Sequence, residues 1–136
     1  MTFSSINVGD IYEEKRVVTS EAVETFARLT GDNNPLHLDE AFAAKSIFKK
    51  RVAHGLLVVS YISAILGMRF PGPGTIYMRQ DSKFMAPVYI GEEIIIKVVV
   101  KEKITEKHRL VLVTQIFKDD GKLAVDGEVM VKFDVD

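Results

Sequence analysis

The sequence predicts an α+β fold in which an antiparallel β-sheet curls around one apolar helix. Residues 54–69 are apolar on nearly every face at helical spacing, and four strand-like segments joined by short connections follow them. Short connections join antiparallel neighbours. A sheet wrapped around a helix that is buried on most sides satisfies the apolar faces of both elements. This arrangement is the hot-dog fold.

Alternating hydropathy and turn residues define the strands. A hairpin loop is predicted at residues 105–108, and Asp119-Asp120-Gly121 is a strong turn signal. Asp126-Gly127 is a possible β-bulge within the last strand. The predicted strands cover residues 10–19, 76–85, 93–104, 109–118 and 123–135.

Two helices are predicted between the first strand and the apolar helix. Thr19 or Ser20 is a suitable N-cap for the first, because a side-chain oxygen there accepts from a free main-chain N–H. Gly31 ends this helix, since glycine adopts the left-handed conformation at low cost. Asp39 is a suitable cap for a short helix over residues 41–48.

Length and composition indicate one packed domain covering residues 1–136. The chain is 47% hydrophobic and 27% charged, which excludes a disordered protein. Its formal net charge is −1, without the basic excess of a nucleic-acid-binding domain. It contains no cysteine, which excludes a disulfide scaffold, a thiolate zinc site and a cysteine nucleophile.

The longest apolar run, residues 56–66, is too short to cross a membrane, which takes about 20 residues. The N-terminus has no basic segment followed by an apolar one, so it does not resemble a signal peptide. The sequence therefore predicts a soluble cytoplasmic protein with no membrane or nucleic-acid partner.

The densest polar cluster surrounds Asp32 and His37, which are five positions apart across a proline turn. This spacing can bring both side chains into one small volume. A carboxylate and an imidazole that share one water form a general acid–base pair. Their opposite charges would raise the pKa of His37 and lower that of Asp32. The alternative is an ordinary turn, because Asp and Asn side chains bond back to their own main chain.

A second candidate site is Gly55, at the predicted start of the apolar helix. The first N–H groups of a helix have no partner within it and carry partial positive charge, so they bind anions and polarised carbonyls. Glycine lets a ligand approach the main chain closely. Gly55 is therefore a candidate oxyanion site for a carbonyl that becomes an enolate. The alternative is that it only eases a tight entry into the helix.

Metal binding and serine catalysis have less support. Asp32, His37 and His54 could together hold a metal ion, but no compact ligand motif such as H-E-x-x-H is present, so no metal is predicted. Ser63 lies on the apolar helix, where a serine usually bonds to the preceding turn. The sequence has no G-x-S-x-G elbow of the serine hydrolases.

Several segments together resemble the MaoC-like (R)-specific enoyl-CoA hydratase family. The similarity runs from about Val8 to the C-terminus and is strongest over residues 29–91. The motifs occur in the order that the family has, which is more specific than any one of them. They are LTGDNNPLHLD at 29–39, RVAHGLL at 51–57, FPGPGTIY at 70–77, KF at 83–84 and PVYIGE at 87–92.

The resemblance implies a homodimeric or higher homo-oligomeric hot-dog protein that reversibly hydrates a trans-2-enoyl-CoA to an (R)-3-hydroxyacyl-CoA. In the family motif G-D-x-N-P-x-H, the aspartate and the histidine form the catalytic pair. They correspond to Asp32 and His37, which the resemblance therefore implies are catalytic. The asparagine of the motif matches Asn34, expected to organise the site. The glycine of the A-H-G-L motif matches Gly55, with its oxyanion N–H. The central-helix serine matches Ser63 and is expected to support the aspartate or its water.

The remaining expectations concern the substrate. The resemblance implies a reaction of fatty-acid metabolism. The acyl chain should lie in an apolar tunnel, and the CoA phosphates require cations. Coenzyme A is part of the substrate, and no further cofactor is implied. Candidate cations are Lys45, Lys49, Lys50 and Arg51, although exposed lysines also serve solubility alone.

Three other functions stay open. A 3-hydroxyacyl-carrier-protein dehydratase would run the same chemistry toward the alkene on a protein-bound thioester. A hot-dog acyl-thioesterase would release free thiol. A non-catalytic acyl-thioester or lipid-binding module would bind its ligand without turnover, and it would tolerate conservative changes at Asp32 or His37.

Overall fold

Five strands and four helices make up the fold, and the computed structural model describes all residues, 1–136. The helices are α1 (Ser20–Thr30), α2 (Pro35–Leu38), α3 (Glu40–Ala44) and α4 (Gly55–Met68). The strands are β1 (Ile11–Val17), β2 (Thr75–Phe84), β3 (Glu93–Ile104), β4 (Arg109–Phe117) and β5 (Leu123–Phe133). They form one antiparallel sheet in the order β1-β3-β4-β5-β2. The predicted α+β hot-dog fold is confirmed.

The sheet and α4 share one apolar core. Alternate residues of β3 are buried, as the period of two along a strand requires. Burying an aliphatic side chain of this size contributes roughly 1.5–3 kcal/mol, so the shared core fixes the sheet around the helix. Core residues from β3 and α4 include Ile94, Ile96, Val98, Val100, Ile62, Ile65 and Leu66.

Capping decides where α1 begins and ends. Thr19 Oγ1 accepts a hydrogen bond from the Ala22 N–H at 3.1 Å, which confirms Thr19 as the N-cap. Gly31 ends the helix with a φ of 82°, in the left-handed region that favours glycine. These two residues set the start of the loop that carries Asp32.

The segment after α1 differs from the sequence pattern in two ways. The pattern does not predict α2, in which Pro35 takes the first helical position, where its missing N–H costs nothing. Asp39 caps α3 as predicted, but α3 ends at Ala44. After Ala44 the main-chain bonds tighten to three-residue spacing, from Lys45 N–H to the Phe42 carbonyl and from Ser46 N–H to the Ala43 carbonyl, which also accepts from the Ser46 hydroxyl at 2.6 Å.

One face of α4 is exposed, which corrects the expectation that the helix is buried on most sides. Leu56 and Met68 expose 67% and 66% of their surfaces, and Ser60, Ser63 and Ala64 are exposed between them. β2, which packs beside α4, is also exposed along nearly its whole length. Hydropathy alone does not separate an apolar face in the core from one at the surface. None of the helices has the length and apolar character needed to span a membrane.

Gly127 is required by a close approach of two strands, so the bulge predicted there is wrong. β5 keeps a regular register against both neighbours at Asp126 and Gly127. A Cβ on Gly127 would lie 1.9 Å from the Asp81 carbonyl oxygen of β2. The irregular registers instead lie between Tyr77 and Arg79, Val100 and Glu102, and Ile116 and Phe117.

Replacing Gly127 with alanine should lower the free energy of unfolding by about 1–3 kcal/mol or more, because the new methyl group must displace the main chain of β2. Urea unfolding measures this loss. The control is Glu128→Ala, the next residue on β5, which removes only a surface ion pair with Lys101 and should cost less than about 1 kcal/mol. Equal stability of Gly127→Ala and the wild type would contradict the prediction.

Candidate active site

The two sequence motifs meet at one cavity of about 500 Å³. The loop before α2 and the start of α4 form its polar side, and residues that follow β2 form much of its apolar side. Asp32, Asn34, His37 and Gly55 all line this cavity, so four of the candidate site residues share one site. His54 lines it as well.

Hydrogen bonds to the main chain join the α2 loop to the segment before α4. The Arg51 Nε–H donates to the His37 carbonyl oxygen at 2.7 Å. The Val52 N–H donates to the Leu36 carbonyl oxygen at 3.2 Å. Arg51 therefore holds α2 in place, a structural task that the sequence pattern does not indicate.

The main chain also orients the His37 ring. The Asn34 side chain caps α2 by accepting from the Leu36 N–H at 3.1 Å, which places His37 within this helical turn. His37 Nδ1 lies 2.7 Å from the Val52 carbonyl oxygen. A carbonyl oxygen only accepts, so Nδ1 carries the hydrogen and Nε2 of the neutral ring carries a lone pair.

Asp32 supplies the second acceptor of the pair. Its carboxylate accepts from the Asn34 N–H at 3.3 Å and is exposed. A carboxylate oxygen of Asp32 and a ring nitrogen of His37 lie within 4.8 Å of each other, without a direct hydrogen bond. Two hydrogen bonds of about 2.8 Å through one water span such a gap. The pair can therefore hold a single water between two acceptors.

Burial controls the charge of His37. The opposite charge of Asp32 predicts a raised pKa for His37, and this expectation is wrong. Burial lowers the pKa of His37 below its usual value, and His54 lowers it further, against the opposing effects of the bond to Val52 and of Asp32. The Asp32 carboxylate is exposed, so water screens its charge. His37 is therefore a neutral acceptor at pH 7.

The N-terminus of α4 opens into the same cavity. The first N–H bonded within the helix is that of Val58, to the His54 carbonyl at 3.2 Å. The N–H groups of Gly55 and Leu56 have no partner in the chain. A Cβ on Gly55 would lie 2.6 Å from Cε1 of Phe84, so a larger residue there would require this ring to move. Free N–H groups at a positive helix end suit a developing oxyanion.

Five predicted site residues do not line the cavity. Ser63 is exposed on the outer face of α4, so within one chain it does not support Asp32 or its water. The lysines that follow α3, at positions 45, 49 and 50, are all exposed. Arg51 is engaged with the His37 carbonyl.

The apolar wall of the cavity is not evident from the sequence. Phe48, Phe84 and Met85 contribute to it, although hydropathy does not separate a cavity wall from a core. Pro87, just after β2, is the one local signal that the chain leaves the sheet there. The following residue, Val88, accepts a hydrogen bond from the Ala53 N–H at 2.8 Å, which joins the wall to the segment before α4.

Asp32, His37 and His54 are the side chains that could reach a common metal ion, since their donor atoms lie within 4.8 Å of one another. The two imidazole rings lie against each other, with centroids 3.9 Å apart and planes at 31°. Lone pairs lie in the ring planes, so those of two facing rings do not converge on one point as the ligands of a single ion must. The geometry suits ring stacking better than metal binding.

The fold and cavity together define a hot-dog domain with a carboxylate and an imidazole paired beside the N-terminus of its central helix. The sequence matches the MaoC like domain over residues 7–119. The chain belongs to the MaoC-like family.

Similar proteins span nearly the whole chain. The 3-hydroxybutyryl-CoA dehydratase of Methylorubrum extorquens is 44% identical, over 96% of this chain and 82% of the relative. The (R)-specific enoyl-CoA hydratase of Aeromonas caviae is 40% identical, over 97% of this chain and 98% of the relative. The structure of the unliganded R-hydratase PhaJ1 of Pseudomonas aeruginosa has a TM-score of 0.94 at 37% identity, covering 99% of this chain and 86% of that one.

The His37 ring should titrate below the usual histidine value of about 6.5 in an NMR titration, because burial disfavours its charged form. The folded state then binds this proton more weakly than the unfolded chain. The contribution of His37 to the free energy of unfolding is therefore complete above about pH 6.5. It falls as the pH drops toward the pKa of His37 in the folded state. His37→Gln assigns the resonance and should flatten this part of the stability profile. A midpoint at or above that of free histidine would contradict the prediction.

Proposed function

We propose that this protein is an (R)-specific enoyl-CoA hydratase, a hydro-lyase that reversibly adds water to a trans-2-enoyl-CoA to give an (R)-3-hydroxyacyl-CoA. The cavity that Asp32 and His37 share with the free N–H groups of α4 carries this proposal. The names of the two relatives support the same chemistry, one in the dehydration direction and one in the hydration direction.

The proposed reaction begins at the start of α4. The thioester carbonyl oxygen accepts a hydrogen bond from the Gly55 N–H, which draws electrons from the conjugated double bond and makes C3 electrophilic. When water adds, this oxygen takes on enolate charge, and the helix N-terminus stabilises it. Loss of a single oxyanion donor typically costs about 10²–10³-fold in rate.

The acceptor pair holds the nucleophile. The water donates one hydrogen bond to the Asp32 carboxylate and one to His37 Nε2, so its oxygen lone pair is free to face C3. As the O–C3 bond forms, Asp32 takes one proton from the water, and the C2=C3 π electrons pass to the thioester oxygen. The enolate electrons then return to C2, which takes up the proton that Asp32 accepted, relayed through His37 Nε2, so that the thioester carbonyl re-forms and both groups return to their starting states. Coenzyme A enters only as part of the substrate.

The rest of the substrate follows the lining of the site. The acyl chain would lie against the apolar wall that includes Phe48, Phe84 and Met85, where each buried methylene contributes about 0.8 kcal/mol. Lys45 and Lys49 follow α3 shortly before and after Phe48 along the chain, and their exposed ammonium groups would meet the CoA phosphates.

Hydration of crotonyl-CoA, followed as loss of enoyl-thioester absorbance, tests the proposed function. Asp32→Asn and His37→Asn should each lower kcat at least about 100-fold while circular dichroism stays unchanged, because an amide oxygen can accept a hydrogen bond from the water but cannot take up its proton. The matched control is Asp39→Asn. It keeps the cap of α3, since Asn and Asp are equivalent caps, and should stay within about threefold of wild type.

An inactive wild type on short and longer enoyl-CoAs would contradict the proposal. Turnover of carrier-protein thioesters only would identify a dehydratase of that class. Release of free thiol would identify a thioesterase. Ligand binding that survives both substitutions without any turnover would identify a binding module.

We further propose that two copies of the chain associate through β2 and the outer face of α4. β2 lies at one edge of the sheet, with an unpaired side and exposed apolar residues, including Ile76 and Met78. An antiparallel edge can pair with its own copy around a two-fold axis. β1, at the other edge, carries the charged run Glu13–Arg16, which protects an edge from such pairing. Ser63 would then lie at the subunit interface.

Ile76→Asp should convert the dimer to a monomer at micromolar concentration in analytical ultracentrifugation, because an unpaired carboxylate in an apolar interface costs several kcal/mol. Ile47→Asp is the control, since Ile47 is 87% exposed and lies outside β2 and α4. It should leave the mass unchanged. A monomeric wild type, or equal masses for all three proteins, would contradict the proposed interface.

A further inference from the structure

His54 is buried beside the acceptor pair but has no part in the proposed reaction steps. Only 2% of its surface is exposed, and it is the N-cap residue of α4 without giving a side-chain cap. Its Nε2 lies 3.0 Å from the Asp32 main-chain carbonyl oxygen. A buried imidazole in this position needs a reason, because an apolar residue would fill the same space without a polar group.

Hydrogen bonding assigns the tautomer of His54. The Asp32 carbonyl oxygen only accepts, so the hydrogen lies on Nε2. The other ring nitrogen, Nδ1, is buried with no hydrogen-bond partner. The ring is therefore held by one hydrogen bond only, from Nε2–H to the Asp32 carbonyl oxygen.

The His54 ring also forms the surface on which His37 rests. The centroids of the two imidazoles are 3.9 Å apart, and the Phe26 ring lies 4.8 Å from His54. His54 thus contacts both members of the acceptor pair by different atoms: its edge bonds to the Asp32 main chain, and its face covers the His37 ring.

We propose that His54 is a positioning residue for the water-binding pair: its Nε2–H anchors the Asp32 loop, and its ring packs against His37 and shields that ring from water. This role rests on the proposed hydratase function for its effect on rate. The anchoring and the shielding are properties of the fold and can be measured without turnover.

The other polar groups around His37 have different effects on it, so the shielding is assigned to the His54 ring. Asp32 favours the charged ring, Arg51 is bound to the main-chain carbonyl of His37, and the Val52 carbonyl accepts from Nδ1. Burial nevertheless lowers the pKa of His37, and the buried His54 ring is a direct neighbour, with its centroid 3.9 Å from that of His37. Without the His54 ring, water would reach His37. Burial would then lower the pKa of His37 less, and the opposing effect of the Asp32 carboxylate, which raises this pKa, would become relatively larger.

Two substitutions separate the two tasks of His54. His54→Gln keeps an N–H donor near the position of Nε2 but removes the ring. It should raise the midpoint of the His37 NMR titration and shift the acid limb of kcat/KM to higher pH. His54→Phe keeps a ring but removes the donor. It should lower kcat about tenfold through loss of the buried hydrogen bond to the Asp32 loop, and move the midpoint less than His54→Gln does.

His108→Gln is the matched control, because His108 also stacks on an aromatic ring, that of Phe3 at 4.6 Å, and does not line the cavity. It should leave kcat, the pH profile and the His37 midpoint unchanged. If both His54 variants lose only thermal stability, with kcat and the midpoint at their wild-type values, His54 is merely structural and the proposal is overturned. Equal effects of His108→Gln and His54→Gln on the midpoint would overturn it as well.

The NMR readout separates this proposal from the proposed function. An inactive wild type in which His54→Gln still raises the His37 midpoint, and His54→Phe still shifts the Asp32 amide resonance, would reject the hydratase function and support the positioning role. An active wild type in which neither resonance responds would support the function and reject the role.

Discussion

Hydrogen bonds between residues 51–54 and residues 32–37 hold the entire site together. Each has at least one main-chain partner, so the path of the chain determines the geometry more than any single side chain does. The bonds are Arg51 Nε–H to the His37 carbonyl, Val52 N–H to the Leu36 carbonyl, His37 Nδ1–H to the Val52 carbonyl, and His54 Nε2–H to the Asp32 carbonyl. Residues 51–54 lead directly into α4, so these bonds also set the position of the acceptor pair relative to the helix N-terminus. In the proposed reaction, loss of this connection would separate the pair that holds the water from the helix N-terminus that polarises the thioester carbonyl.

The two acceptors of the site differ in burial, and this difference determines how readily each of them carries a charge. Asp32 lies in solvent, whereas His37 is partly buried and rests on the fully buried His54. Desolvation outweighs the attraction of a screened carboxylate, so the imidazole stays neutral beside a charged group. One water can then donate to both acceptors. A fully exposed pair would leave His37 freer to take up a proton, and a fully buried pair would leave Asp32 without the solvent that stabilises its charge.

The central helix serves the core, the site and the proposed interface at once. Its inner face packs against the sheet, its N-terminus opens into the cavity, and its outer face carries exposed apolar residues such as Leu56 and Met68. This threefold use explains why the helix is apolar on nearly every side although only part of it is buried in one chain. It also places Ser63, which the resemblance connects with the site, on a face that one chain does not complete.

Local sequence signals are sufficient for the elements that depend on near neighbours. Alternation predicts β3 over residues 93–104, where it lies, and the cap at Thr19 and the stop at Gly31 also agree with the structure of α1. The family motifs indicate Asp32 and His37. Two features require the folded chain: Gly127 faces the main chain of β2, and burial by distant residues overrides the charge of Asp32 at His37. Close approach and desolvation arise between segments far apart along the chain, and no local pattern records them.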